Sequence, residues 1–221
     1  NVKGQTIHSF FGFNPMITIE KIKKIYGKKE YLYKMIDMII IDEISMVRAD
    51  LLDCVNKFLK INGKDETKSF GGTQIVFIGD LYQLPPVIKG KEKEIFKSHY
   101  RSPYFFDSHV FKNLDIEFIE LDRVYRQTDE NFINLLNAIR NKSVTTNDLI
   151  KINEKLNPSF EPDSKDFYIN LTTTNKLSEE INNKELGKIK SELFTFTGKI
   201  NGNFDKSYLP TEEILKLKEG S

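Results

Sequence analysis

Tryptophan is absent from the 221 residues, cysteine occurs once, at Cys54, and histidine only three times. A single cysteine excludes a disulfide framework and any cysteine-based zinc site, and it fits a reducing compartment. Net charge is scarce as well: 33 Lys and Arg stand against 32 Asp and Glu, a formal +1. That balance excludes a uniformly basic nucleic-acid coat but leaves room for a local basic groove, because binding follows the distribution of charge rather than its sum. No apolar run approaches the ~18 residues of a membrane span, so no membrane partner is expected. The sequence opens on Asn1 without a charged-then-apolar leader, so no signal peptide is expected, and the missing Met suggests a fragment. Repeats and low-complexity tracts are missing too. What is present is globular in character, with 39% hydrophobic and 29% charged residues and 17 Phe. The length allows one large or two small domains.

Apolar runs alternate with helix-period segments. Met38 to Ile41 reads as a strand buried on both faces. Ser45 can cap a helix with apolar positions Val47, Leu51, Leu52, Val55, Phe58 and Leu59. After Gly71-Gly72 comes a second buried strand, Gln74 to Ile78. Lys89 to Lys112 is part helix, part loop. Ile116 to Leu121 alternates like a strand, and Phe132, Leu135, Leu136 and Ile139 form a helical stripe. A short helix over about Asn147–Leu156, a loop at Pro158 and Pro162, a strand Phe167–Leu171, a helix Lys176–Lys188 and a strand Leu193–Ile200 complete the reading. Strands alternating with helices predict an α/β fold with a largely parallel sheet flanked by helices, divided near residues 113–115 into 1–114 and 115–221.

Three segments carry chemistry. Asp42 and Glu43 stand where the first strand ends, the end at which open α/β sheets place their ligands. Asp42 suits a Mg²⁺ held largely through water, and Glu43 suits activation of an attacking water; the plainer alternative is a solvated strand end entering a helix. Gly79-Asp80 ends the second strand and leads into Gln83-Leu84-Pro85-Pro86. Gln83 can donate and accept toward a terminal phosphate, Gly79 permits a tight turn and the prolines stiffen the loop; a Pro-containing surface turn is the alternative. Asp122-Arg123-Val124-Tyr125-Arg126 holds two of only five arginines, against 28 lysines. Arg126 suits a phosphate clamp in the manner of an arginine finger, whereas Arg123 is expected to pair on the surface with Asp122 or Glu120.

Thr6, His8 and Phe10 offer a hydroxyl, an imidazole and a ring, the mixture used on single-stranded DNA, although a lone His beside two Phe is more often a satisfied core group. Thr174-Asn175 reads first as a helix cap, and a helix N-terminus there can also receive a backbone phosphate.

The segments GQTIHSFFGF, MIIIDEISMV, FGGTQIVFIGDLYQLPPV, LDRVYRQTDENFINLLNAIR, LTTTNKLSEEIN and LKLKEG, in this order, resemble the PIF-type (petite integration frequency) DNA helicases, relatives of RecD in superfamily one. The resemblance implies two RecA-like domains, both incomplete here, that clamp ATP and step 5′ to 3′ along single-stranded DNA. By motif, Asp42 would coordinate Mg²⁺, Glu43 would activate water, Gln83 would sense the γ-phosphate and Arg126 would reach it. Asp80 would stand with them at the nucleotide. Thr6, His8, Phe10, Thr174 and Asn175 would lie along DNA, and Pro85 and Pro86 would link the ATP site to the DNA track. The partners implied are ATP and single-stranded DNA, with a monomer as the expected state. Replication-fork, telomeric, repair and mobile-element roles share these motifs.

The Walker A loop of that family, G-x-x-x-x-G-K-[ST], does not occur in these residues. The sequence is therefore expected to be an internal fragment that alone hydrolyses no ATP. Two other readings stand beside the helicase. One is a non-catalytic nucleic-acid-binding or interaction module on the same fold. The other is a metal-dependent nuclease built on Asp42, Glu43 and Asp80.

Overall fold

Met38–Ile41 forms β1 and Gln74–Phe77 forms β2, and the two pair in parallel in the register Met38↔Gln74 to Ile41↔Phe77. The protein is described by a computed structural model over residues 4–88, 92–161, 168–202, 209 and 211–221. Lys89, Pro162 and Phe167, assigned above to a mixed segment, a loop and a strand, lie outside the described residues. Two compact units are present, residues 1–144 and 145–221. Residues 115–144 thus fall within the first unit, whereas the pattern of strands and helices restarts near 113–115.

A parallel pair needs a crossover, and α3 (Ala49–Asn62) supplies it. Its apolar stripe is the centre of the core: Leu52, Val55 and Leu59 are fully buried and Phe58 nearly so. The helix starts three residues later than a cap at Ser45 implies, with Arg48 in the cap position. Ile44–Met46 forms a 3₁₀ turn, and Ser45 is buried instead of capping. The first amides of α3 find other acceptors: Ala49 N–H donates to the Pro103 carbonyl at 2.9 Å and Leu51 N–H to Asp50 Oδ1 at 2.9 Å. Past its end, Gly71 adopts φ +65°, where a Cβ would lie 2.1 Å from the Leu59 carbonyl oxygen, so this turn accepts only glycine.

β1 is covered less than expected. Ile41 is buried, but Met38 and Ile40 are 47% and 59% exposed. Among the described residues the sheet has only β2 beside it and one apolar face open. The covered face meets rings. Phe11, Phe13, Tyr33 and Phe58 pack with centroids 4.9–6.0 Å apart, seating α1 (Ile7–Phe11) and α2 (Lys28–Met35) against α3. Two buried polar side chains fasten loops to the same helix. Asn62 accepts from Ile25 N–H and donates to the Phe58 and Lys23 carbonyls. Asp53 accepts from the Tyr100 hydroxyl and from the amides of His109 and Val110 at 2.9–3.0 Å. Burial, then the Asp53 carboxylate, pushes the Tyr100 hydroxyl pKa up. α4 (Glu92–His99) leads into this stretch.

Ile116–Leu121 is not a strand. Phe118 and Leu121 are 84% and 85% exposed, and an alternating run without a partner backbone among the described residues has nothing to close its hydrogen bonds. The helical stripe that follows is realised as α5 (Glu130–Arg140), capped by Asp129, which accepts from Asn131 and Phe132 amides. The second unit holds α6 (Thr146–Asn153), with a Thr145–Asp148 capping box, and α7 (Asn175–Lys188). It also holds β3 (Leu193–Thr197), antiparallel to β4 (Ile214–Lys218). β3 stops short of Ile200, β4 was not anticipated, and 168–171 are not in a strand. The fold is α/β, as expected, with parallel pairing in the first unit among the described residues.

Candidate functional site

The site grows out of the ends of β1 and β2. Beyond Ile41 the ladder continues one step: Ile78 N–H donates to the Ile41 carbonyl at 2.9 Å and Ile44 N–H to the Ile78 carbonyl at 3.0 Å. Between these bonds the chain reverses at Asp42 and Glu43. Asp42 Oδ1 accepts the Glu43 amide at 2.9 Å, and Glu43 sits at φ 51°, ψ 43°. That left-handed conformation costs a non-glycine residue on the order of 1 kcal/mol. It returns Ile44 and Ser45 to the core while both acids stay exposed at the strand end.

Gly79 makes this possible from the neighbouring strand. A Cβ there would lie 2.8 Å from Ile44 Cγ2 and 3.0 Å from the Ile44 nitrogen. Glycine is required by close approach of backbone to backbone. The Asp80 carboxylate then organises the loop: Oδ1 accepts the Tyr82 amide at 3.0 Å, while the Gln83 amide donates to the Asp80 carbonyl at 3.0 Å. Oδ2 pairs with Arg140, whose guanidinium also lies over the Tyr82 ring, 5.3 Å from its centroid. The Gln83 side-chain amide is 3.5 Å from that same Oδ2, at the outer limit of a hydrogen bond. Pro85 is exposed and Pro86 is buried, anchoring the far end of the loop.

The structure therefore brings Asp42 and Glu43 to the same strand ends as the Gly79–Gln83 loop. Arg126 is exposed in the irregular run before α5 and makes no hydrogen bond, ion pair or ring contact among the described residues. Arg123 does not pair with Asp122 or Glu120; its guanidinium lies over the Tyr125 ring at 5.1 Å. Among the described residues no three His, Cys, Asp or Glu side chains gather as a metal site. A lone exposed carboxylate does fit Mg²⁺, which is commonly held by one or two carboxylates, water and phosphate oxygens.

At the other candidate positions, Thr6 caps α1 by accepting the Ser9 amide at 3.2 Å. His8 is half-buried, and burial, followed by the nearby Arg48 charge, holds its pKa below the usual imidazole value. Phe10 is half-buried, edge-on to Phe11 and Tyr33 at 4.9 and 5.7 Å, and its carbonyl accepts the Tyr33 hydroxyl. Thr174 caps α7 by accepting the Leu177 amide at 3.3 Å, and Asn175 is exposed in its first turn. The cap reading of Thr174 is realised. Arg140 and Tyr82 escaped the sequence reading. The scarcity of arginine that singled out 123 and 126 applied equally to 140, but its position closing an amphipathic helix looks like an ordinary favourable helix-end cation.

A parallel β-α-β unit with adjacent acids after one strand and a Gly-Asp loop after the next is an open α/β arrangement whose acids stand at the strand ends where such sheets place their ligands. The chain is 32% identical to the ATP-dependent DNA helicase RRM3 of Saccharomyces cerevisiae over 228 aligned positions, covering 99% of this chain and 30% of that protein. It is 32% identical to the ATP-dependent DNA helicase Pif1 of Campylobacter jejuni, covering 90% and 45%. The crystal structure of Bacteroides Pif1 bound to ssDNA superposes with a TM-score of 0.84 at 37% identity, over 97% of this chain and 50% of that one. The complex of Bacteroides Pif1 with ADP-AlF3 and ssDNA gives 0.81 at 34% identity. The chain thus spans less than half the length of these two helicases. The model of the PIF1-like helicase family matches residues 1–149, and the chain belongs to that family.

Proposed function

We propose that the protein carrying these residues is an ATP-dependent DNA helicase that couples Mg-ATP hydrolysis to 5′-to-3′ movement on single-stranded DNA and to duplex unwinding. The observation that carries this reading is the Asp42–Glu43 reversal, held by Gly79 beside the Asp80–Gln83 loop. In this proposal Asp42 holds Mg²⁺, Glu43 orients and deprotonates the attacking water, and Gln83 and Arg126 address the terminal phosphate, with Asp80 at the nucleotide side of the loop. Mg²⁺, when bound, neutralises charge developing on the phosphate oxygens. Thr6, His8, Phe10, Thr174 and Asn175 serve the DNA backbone and bases, and Pro85 joins the two sites. A first RecA-like part through residue 114 and a second from 115 belong to the same proposal, as does an intracellular location. The ATP-dependent helicase names of the relatives and the ADP-AlF3 and ssDNA complexes of Bacteroides Pif1 support it.

The test is Glu43→Gln in the protein at its full natural length. Single-stranded DNA should stimulate ATP hydrolysis by the wild type, and the variant should lose at least about a hundredfold of that rate while still binding DNA. An unchanged rate would overturn the assignment of Glu43, and salt-dependent DNA binding without any turnover by the wild type would favour a binding module instead.

A further inference from the structure

Asp80 has one carboxylate oxygen for which two donors stand in line. Oδ1 is committed to the Tyr82 amide; Oδ2 pairs with Arg140 and lies 3.5 Å from the Gln83 side-chain nitrogen. An ionised Asp binds a guanidinium more strongly than a neutral amide, since both partners are charged. While Arg140 occupies Oδ2, the Gln83 amide has little to gain there. Without Arg140, the bare carboxylate three residues away becomes its nearest acceptor. The guanidinium makes a second contact on the loop, over the ring of Tyr82, the residue next to Gln83. A lysine would keep the charge but not the planar fork of donors.

The geometry points to Arg140 as a positioning residue: by pairing with Asp80 and covering Tyr82 it keeps the Gln83 amide available for phosphate. This rests on the helicase reading for its consequence, and on the Asp80 and Tyr82 contacts alone for the clamp. Arg140 is half-exposed and closes α5, so its removal leaves the core around α3 untouched and acts through the loop.

Two measurements on the full-length protein test it. Hydrogen exchange over residues 80–87 should accelerate about fivefold in Arg140→Ala, with peptides of α3 unchanged, and Arg140→Lys should fall between the two. Unaltered exchange at Tyr82 and Gln83 in both variants would overturn the clamp. In DNA-stimulated ATP hydrolysis, Arg140→Ala should lower kcat about tenfold with KM for ATP within about twofold, and should have no further effect when Asp80 is already Ala. Equal losses with and without the Asp80 carboxylate would overturn the positioning role. A wild type that hydrolyses no ATP would refute the helicase reading, while the exchange result would still decide whether Arg140 clamps the loop.

Discussion

At Glu43 the conformation of one residue decides where two carboxylates stand. Its left-handed conformation, bracketed by the Ile41–Ile78 and Ile78–Ile44 hydrogen bonds, ends β1 abruptly and leaves two carboxylates at its tip. His8 shows a different compromise. Its ring is half-buried and feels Arg48, both of which favour the neutral imidazole. With the folded-state pKa below 6.5, the unfolded chain takes up the proton first as pH falls. His8 therefore contributes stability above about pH 6.5 that is lost as pH drops through the folded value. NMR titration should place the His8 midpoint below 6.5; a midpoint at or above it would mean the ring is solvated and uninfluenced by Arg48. Neither property is written in the residue names, since Glu and His tolerate both settings and only their neighbours choose.

At the scale of elements, the helix α3 and the strands on either side behave as one unit, because Gly79 lets the end of β2 touch the turn that precedes α3. Gly79→Ala would push a methyl group against Ile44 Cγ2 and the Ile44 nitrogen. Overpacking of this kind costs about 1–3 kcal/mol, and part of that strain falls on the Glu43 turn. Urea unfolding should show a loss in that range, and a variant as stable as the wild type would mean the two loops can separate freely. Phe58→Ala, at the centre of the ring cluster, should cost about 3–5 kcal/mol by the same measurement. The elements that were legible are those with a local signal. β1 and β2 are short β-branched or apolar runs, α5 and α6 combine an apolar period with Asp or Thr caps, and α7 follows a Thr cap. Ile116–Leu121 has the period of a strand but no partner, and pairing is a property of two segments rather than one. Ser45 has the chemistry of a cap, yet the Pro103 carbonyl, more than fifty residues away, meets the Ala49 amide instead.

For the whole molecule, the ATP hydrolysis proposed above needs more than the residues gathered at the ends of β1 and β2. These 221 residues contain no G-x-x-x-x-G-K-[ST] sequence to cradle phosphates. A polypeptide of this sequence should accordingly hydrolyse ATP at background rate, with or without single-stranded DNA; turnover abolished by Glu43→Gln would show that another element here replaces the cradle. Among the described residues no helix is long and apolar enough to cross a membrane.

Read alone, the order of the motifs determined the family, and local periodicity determined most helices and the two strands that carry the acids, because both are written in neighbouring residues. Tertiary structure decided which side of β1 is covered, that Glu43 turns left-handed, that Phe10 leans on Tyr33, and that Arg140 reaches Asp80 sixty positions away. Those outcomes depend on contacts between segments distant in the chain, where hydrogen-bond geometry and close packing select one partner among several that the sequence leaves equally able.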